Sequence, residues 1–161
     1  MDLTSRVRRS ARCRAAPADV FSLLADVPRS AAHFPELEAL VPHGPDRWGW
    51  RLARLGAGPL VFQVIYACQY RFDAEKLDIR WDPVSGVGNT RVGGAWGIRP
   101  DGRGSSFELS SDYVVSTPFP SLARRAAEAI MQRENERILG TYLDNLVRTL
   151  DGGDGRVPRP R

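Results

Sequence analysis

Apolar residues recur every three or four positions through the last part of the chain, from Pro118 to Leu150. Ser121, or Pro120 in a first turn, can begin a helix here, and the glycine pair at 152–153 can end it. The spacing predicts one apolar stripe, opposite a face of Arg, Glu and Gln. The stripe consists of Leu122, Ala126, Ala127, Ile130, Met131, Ile138, Leu139, Tyr142, Leu143, Leu146, Val147 and Leu150. About thirty residues would extend roughly 45 Å, and because the sequence predicts only one such helix, it needs a sheet to pack against.

Near the start of the chain the pattern has period two, which is typical of a strand. One face carries Arg6, Arg8, Ser10, Arg12 and Arg14, and the other carries Val7, Arg9, Ala11, Cys13 and Ala15. The cationic face has two interpretations, a patch for nucleic acid or anionic lipid, or a solvated face paired with acids on a neighbouring strand. We favour the second interpretation and expect no specific nucleic-acid partner.

Two short helices are predicted after this strand. Pro17 suits a first helical turn, and the apolar residues at 20–24 form a short amphipathic face. Pro28 interrupts that helix, and a second one is expected from Arg29 to His33, before Pro35.

From residue 37 to residue 115 the period is two again. The alternating runs are centred on residues 37–41, 48–52, 60–72, 77–81 and 107–115, with a Gly-rich stretch at 86–100. Turn signals such as Gly44-Pro45-Asp46 and Asp101-Gly102 separate them, so we expect an antiparallel meander without helical crossovers. Gly93-Gly94 is interpreted as a bulge where the sheet bends.

Length and composition indicate one domain, residues 1–151, followed by a disordered tail at 152–161 that is rich in Gly and Pro. Hydrophobic residues make up 42% of the chain, and no apolar run reaches the roughly 20 residues of a membrane helix. The start lacks the apolar segment of a secretory signal. Cys13 and Cys68 are expected to be buried free thiols in a reducing compartment, so the predicted location is cytoplasmic.

The predicted inner face of the sheet is rich in Trp and Tyr, whose polar atoms need partners when they are buried. These aromatic residues are Trp48, Trp50, Phe62, Tyr66, Tyr70, Phe72, Trp81 and Tyr113. They suit the wall of a cavity for an amphipathic ligand. They can equally fill a core between sheet and helix, and the sequence leaves both alternatives open.

At this point the chain resembles the START-like or Bet v 1-like (SRPBCC) superfamily, which includes polyketide cyclase/dehydrase and lipid-transport proteins. The resemblance rests on the segment with Ala18, Val20, Phe21, Leu24, Asp26 and Pro35, on the strand series, and on the helix ENERILGTYLDNLVRTLDG. It implies an α+β helix-grip fold, in which a curved antiparallel sheet of about seven strands wraps around the long C-terminal helix, with two short helices after strand 1. It also implies a hydrophobic cavity for lipids, sterols, polyketides or quinones.

No catalytic motif appears, and the two histidines, His33 and His43, have no partners at metal-ligand spacing, so we expect no metal, no cofactor and no catalytic residues. Asn135 lies close to the apolar stripe, and Glu134 is expected to border it and reach solvent. Arg91 would be a buried cation for a carboxylate or enolate if its strand face is inner, and a solvated residue if the face is outer. The possible bulge leaves that phase undetermined.

The sequence therefore predicts a protein that binds or carries a hydrophobic small molecule (a lipid, quinone or polyketide), as a monomer or weak homodimer. The alternative is an enzyme similar to polyketide aromatase/cyclases, in which a few polar groups stabilise an enolate. A weaker hypothesis is an Arg-driven contact with an acidic membrane or ribosome. The candidate cavity residues are Trp48, Trp50, Phe62, Tyr66, Tyr70, Trp81, Arg91, Tyr113, Met131, Asn135, Ile138 and Tyr142.

Overall fold

A single antiparallel sheet curves around a long C-terminal helix in the computed structural model, which describes residues 1–152. The strands are β1 (Asp2–Cys13), β2 (Leu37–Pro42), β3 (Arg47–Ala57), β4 (Leu60–Asp73), β5 (Asp78–Pro83), β6 (Thr90–Asp101) and β7 (Gly104–Ser116). The helices are α1 (Pro17–Ala25), α2 (Val27–Ala31) and α3 (Arg124–Leu150), with a 3-10 turn at Ser121–Ala123. The seven strands follow the order β1-β7-β6-β5-β4-β3-β2. The predicted helix-grip fold is confirmed, and all but the first residue of the predicted disordered tail lies outside the described residues.

The chain reverses between α1 and α2 at Asp26. This residue ends α1 and also begins α2, where its carboxylate accepts a hydrogen bond from the Arg29 amide at 3.1 Å. Pro28 lies in the first turn of α2, where its missing N–H costs nothing. The second helix, predicted at Arg29–His33, therefore begins earlier, at Val27, because Pro28 lies within its first turn instead of preceding it, and it ends at Ala31.

The long helix, in contrast, begins later than predicted. Residues Ser121–Ala123 form the 3-10 turn, and Leu122 is 97% exposed, so it does not belong to the buried stripe. The other end matches the prediction, with Leu146 fully buried in the core. The 27 residues of α3 extend about 40 Å along the concave side of the sheet.

The cationic face of β1 lies in solvent and is paired with acids on β7, the neighbouring strand, and on β6. Arg6 Nε lies 2.6 Å from Asp112 Oδ1 on β7, and Arg12 Nη2 donates to Asp101 Oδ1 at 2.9 Å. The Arg12 side chain holds the pKa of Asp101 below its ordinary value, chiefly through this hydrogen bonding. The expected pairing with acids is confirmed, and exposed pairs of this kind contribute little stability each.

The predicted bulge at Gly93-Gly94 is wrong. The register between β6 and β7 runs without interruption from Thr90–Val115 to Asp101–Gly104. The glycine serves a different purpose, because a Cβ on Gly94 would lie 2.5 Å from the Trp81 ring and 2.4 Å from the Ser110 carbonyl oxygen. The irregularities of the sheet lie instead in β3, between Arg51 and Arg54, and between β2 and β3.

Two clusters of buried residues lie between the sheet and the helices. One packs around α1 and the C-terminal part of α3, and the other around α2 and the N-terminal part of α3. Phe34, Tyr66 and Tyr70 pack against both clusters. Cys13 and Cys68 are buried and free, as predicted, and burial raises the pKa of the Cys68 thiol to about 12, which keeps it protonated.

Candidate ligand-binding cavity

A cavity of about 150 Å³ lies between the concave face of the sheet and α3. Its wall is drawn from both core clusters, so it occupies the seam between them. The wall includes Val7, Leu24, Val27, Ser30, Phe34, Trp50, Leu52, Leu55, Phe62, Val64, Tyr66, Tyr70, Trp81, Thr90, Val92, Trp96, Leu109, Ser111, Tyr113, Val115, Met131, Glu134, Asn135, Ile138, Leu139 and Tyr142. Apolar walls with a few polar groups are typical of small-molecule sites.

Most of the predicted candidates lie on this wall. They are Trp50, Phe62, Tyr66, Tyr70, Trp81, Tyr113, Met131, Asn135, Ile138 and Tyr142. Trp48 and Arg91 do not line the cavity, which corrects their prediction as wall residues. Trp48 pairs with Pro42 on the edge strand β2 and is half-buried beyond the cavity. Arg91 is exposed on the outer face because the unbroken register directs Thr90 and Val92 inward.

Aromatic rings form one continuous side of the cavity. Trp50 and Tyr66, opposite each other on β3 and β4, stack with centroids 5.9 Å apart. The Phe34 ring meets Trp50 edge-on at 5.8 Å and lies 5.1 Å from Tyr142 on α3. Tilted and edge-on pairs of this kind are the favoured geometries of buried rings. The aromatic side is therefore fixed by ring-to-ring packing on three different elements.

Several wall residues were not predicted from the sequence, and Trp96 and Phe34 are the largest of them. Trp96 is 5% exposed and packs against Tyr142 at 6.0 Å. It lies on the inner face of β6, as Val92 does. The expected bulge at Gly93-Gly94 had left that face undetermined. Phe34 lies beyond the end of α2, so no period marks it, and its position follows from the turn at Asp26.

Most of the polar groups on the wall already have protein partners. Ser30 and Tyr142 share a hydrogen bond of 2.6 Å, and Trp50 Nε1 donates to the Tyr70 hydroxyl at 3.1 Å. Thr90 donates to Asn89 Oδ1 at 3.1 Å, and Ser111 donates to the Gly93 carbonyl at 2.9 Å. These bonds satisfy the groups that burial would otherwise penalise.

Glu134 is the charged residue of this wall, and it lies at the margin. Its side chain is 19% exposed and pairs with Arg137 at 2.7 Å, while Arg137 also reaches Glu36 at 2.8 Å. We expected Glu134 to border the stripe and reach solvent, and its partial exposure agrees with that. Glu134 therefore lies at the edge of the apolar space, and its ion-pair partner Arg137 does not line the cavity.

Two buried polar atoms on the wall have no hydrogen-bond partner among the described residues, the Tyr113 hydroxyl and Asn135 Nδ2. Tyr113 lies on β7 and Asn135 on α3, one turn beyond Met131. Unsatisfied buried polar atoms are uncommon in folded proteins, and each one calls for a physical explanation.

Burial raises the pKa of every tyrosine on the wall. The pKa of Tyr113 and of Tyr142 rises to about 12, and those of Tyr66 and Tyr70 rise well above the ordinary value. Desolvation is the main cause in each case, and a nearby serine hydroxyl offsets part of it. At Tyr142 this is the hydrogen bond to Ser30, whereas at Tyr113 it is the adjacent Ser5, whose contact does not meet hydrogen-bond geometry. The hydroxyls therefore stay protonated near neutral pH, and they can donate hydrogen bonds to a bound molecule.

His33 lies behind the cavity with both ring nitrogens engaged. Nδ1 donates to the Arg29 carbonyl at 2.9 Å, and Nε2 shares a hydrogen bond of 2.8 Å with the Thr149 hydroxyl. Asn145 Nδ2 donates to the His33 carbonyl at 3.0 Å. The histidine thus ties α2 to the end of α3. Within residues 1–152, no three His, Cys, Asp or Glu side chains are grouped so as to hold a metal ion.

None of the helices in the described part of the chain combines the length and the apolar character that crossing a membrane requires. The curved sheet, the long helix and the apolar cavity between them define the helix-grip class of fold.

Residues 4–151 match the family described as Polyketide cyclase / dehydrase and lipid transport, and the chain belongs to this family. A comparison with curated proteins gives no match. Among solved structures, the chain is similar to a protein of Thermus thermophilus, with 24% identity, coverage of 90% of this chain and 99% of that one, and a TM-score of 0.66.

Two further solved structures have the same fold. The Zhui aromatase/cyclase from Streptomyces sp. R1128 is 19% identical over 95% of this chain and 99% of that one, with a TM-score of 0.64. A START superfamily protein from Mycobacterium smegmatis is 11% identical over 89% of this chain and 98% of that one, with a TM-score of 0.63. Together with the family match, these similarities support the predicted START-like or Bet v 1-like (SRPBCC) fold.

Proposed function

We propose that the protein binds and carries an uncharged hydrophobic small molecule, of lipid, quinone or polyketide type, between the sheet and α3. The observation that carries the proposal is the aromatic wall, in which rings from β3, β4, α3 and the segment after α2 meet around an apolar space and the charged Glu134 lies at the margin. An apolar cavity of about 150 Å³ is large enough to hold benzene, so a single aromatic ring fits without rearrangement.

The context of this function is part of the same proposal. The binding unit is a single domain of residues 1–151, present in the cytoplasm as a monomer or weak homodimer. The protonated, buried thiols of Cys13 and Cys68 suit a reducing compartment. No cofactor is required for binding of this kind.

The test is native mass spectrometry of the purified protein and two matched variants on β4. Val64 lines the cavity, whereas Val61 lies on the outer face and is 39% exposed. Val64→Phe should fill the cavity, and Val61→Phe should leave it open. We expect a bound apolar compound, or binding of added acetophenone, in the wild type and Val61→Phe but not in Val64→Phe. Equal binding by all three proteins, or by none, would contradict the proposal.

A second candidate function is an enzyme that folds and cyclises a bound poly-β-ketone chain. The unpartnered Tyr113 hydroxyl favours it, because a free donor can stabilise an enolate. Turnover of a poly-β-ketone mimic that is lost in Tyr113→Phe would support this function. Arg91→Ala serves as the control, because the exposed Arg91 should not influence turnover. Absence of turnover in the wild type would leave the binding function alone.

A further inference from the structure

We propose that Tyr113 and Asn135 form an oxygen-binding subsite in the cavity, and that the bound molecule places a neutral carbonyl oxygen against them. This inference rests on the proposed binding function and specifies the chemistry of its ligand. Its starting point is that the Tyr113 hydroxyl and Asn135 Nδ2 are buried without a hydrogen-bond partner in the described part of the chain.

These two atoms differ from the bonded polar groups on the wall because they are both buried and unpaired within the described chain. The hydroxyls of Ser30 and Tyr142 bond to each other, and Ser111 bonds to a backbone carbonyl. A buried donor without a partner has lost its hydrogen bonds to water and gained nothing in exchange. A ligand with a hydrogen-bond acceptor would replace the bonds to water that these donors lost on folding. The two positions therefore favour ligands that carry an acceptor.

Both residues lie at the same end of the cavity. Tyr113 pairs in register with Ser5 on β1. Ser5 in turn lines a polar groove between β1 and α3 together with Met131 and Asn135. Met131 and Asn135 also line the cavity itself, so they separate it from this groove. Ser5 therefore lies next to both Tyr113 and Asn135. We call this part of the cavity the β1 end.

The chemistry of the two groups selects a neutral carbonyl. A protonated tyrosine hydroxyl and an amide N–H₂ both donate, and a carbonyl oxygen has two lone pairs with which to accept from both. A carboxylate would add a charge to an apolar space, where only a cation could compensate it. Arg91, the cation considered for that purpose, lies exposed on the outer face. A ketone, an aldehyde or a quinone satisfies all these conditions.

The experiment compares acetophenone with α-methylstyrene, which has the same shape but replaces the carbonyl oxygen with a CH₂ group. Dissociation constants for both probes are measured by NMR titration, and their ratio is the selectivity of each protein. The variants are Tyr113→Phe and Asn135→Leu, which remove one donor each and keep the volume. Because the two probes are compared within one protein, partial unfolding or a change in cavity volume affects both constants alike.

Tyr142→Phe is the matched control, because it removes a cavity hydroxyl that already bonds to Ser30. One net hydrogen bond corresponds to about a 2- to 10-fold change in affinity, so the selectivity for acetophenone should fall by that factor in Tyr113→Phe and in Asn135→Leu. It should stay unchanged in Tyr142→Phe.

The remaining outcomes separate the inference from the function on which it rests. If both probes bind the wild type but the selectivity is unchanged in either Tyr113→Phe or Asn135→Leu, the two-donor subsite is wrong and the binding function stands. A fall of equal size in Tyr142→Phe also overturns the subsite, since that hydroxyl is already bonded. If neither probe binds the wild type, the binding function is contradicted and the subsite with it.

Discussion

Polar groups at the two ends of the cavity differ in whether they have hydrogen-bond partners. At the end next to α2, Ser30 bonds to Tyr142 and His33 bonds to Thr149, so side chains from α2 and its C-terminal flank are joined to α3. At the β1 end, the Tyr113 hydroxyl and Asn135 Nδ2 have no partner among the described residues. Within residues 1–152, polar side chains are therefore hydrogen-bonded at one end and left without a partner at the other.

The difference separates groups that hold the fold from groups available to a ligand. Paired polar atoms between α2 and α3 fix how the short helices close the cavity, because each bond is lost if α2 moves away. Unpaired atoms contribute no such bond, and their burial costs free energy in the empty protein. We therefore expect substitutions at the α2 end to change stability and substitutions at the β1 end to change ligand selectivity.

The largest effect should come from His33→Leu, because this histidine makes two side-chain hydrogen bonds and is 3% exposed. The variant leaves the Arg29 carbonyl and the Thr149 hydroxyl without partners. We expect the free energy of unfolding to fall by about 2–3 kcal/mol in urea denaturation. Thr149→Val, which removes only one of the bonds, should cost about 1 kcal/mol. A His33→Leu protein as stable as the wild type would contradict a structural role for the α2 end.

Alkaline pH should weaken both ends alike, because desolvation is the main cause of the raised tyrosine pKa at each. A folded-state pKa of about 12 lies above that of an unfolded tyrosine, so the stabilisation is complete below about pH 10 and is lost as pH rises towards 12. We expect each tyrosine to account for up to about 2 kcal/mol of this loss. Urea denaturation at pH 9 and 11 should therefore show a smaller loss in Tyr113→Phe and in Tyr142→Phe than in the wild type. If both variants lose as much stability between pH 9 and 11 as the wild type, burial of the two hydroxyls does not cause the loss.

Near neutral pH, Tyr142→Phe should lower the free energy of unfolding by about 1 kcal/mol. The cause is the loss of the 2.6 Å bond to Ser30, whose hydroxyl is left buried without a partner. Ser30→Ala in the same background should recover part of the loss, since it removes the orphaned hydroxyl. A double-mutant cycle measured by chemical denaturation checks this. Additive effects of the two substitutions would show that the bond contributes nothing.

The smallest effect should come from Tyr113→Phe, and it should have the opposite sign. Removing a buried hydroxyl that has no partner is expected to leave the free energy of unfolding unchanged or to raise it by less than about 1 kcal/mol. The same denaturation series provides the comparison with Tyr142→Phe. A clear loss of stability in Tyr113→Phe would mean that the hydroxyl is bonded within the folded protein, and the contrast between the two ends would disappear.

The order of strands and helices could be predicted from the sequence, because period two and period 3.6 persist through long runs. The aromatic side of the wall followed from the same alternation, as Trp50, Tyr66 and Tyr70 show. The phase of β6 could not be predicted, since Gly93 and Gly94 carry no side chain to mark a face. Because of that uncertainty, Trp96 was not predicted as a wall residue, and the face of the sheet on which Arg91 lies was left undetermined.

The pairing of polar groups was also beyond the sequence. Ser30 and Tyr142 are 112 positions apart, and their contact depends on how α2 packs against α3. Nothing in the residue types distinguishes Tyr142, which is bonded, from Tyr113, which is not. Which polar groups remain free for a ligand is decided by packing in three dimensions, and this is the part of the site that only the structure supplies.

The central claim, that a small apolar molecule occupies the space between sheet and α3, can be tested most directly by fluorine NMR of protein labelled with 5-fluorotryptophan. The chain has four tryptophans, of which Trp50, Trp81 and Trp96 line the cavity and Trp48 lies outside it. On addition of acetophenone, we expect the signals of Trp50, Trp81 and Trp96 to shift and that of Trp48 to stay unchanged. Shifts confined to Trp48, or no shift at a probe concentration that saturates a millimolar site, would contradict the account.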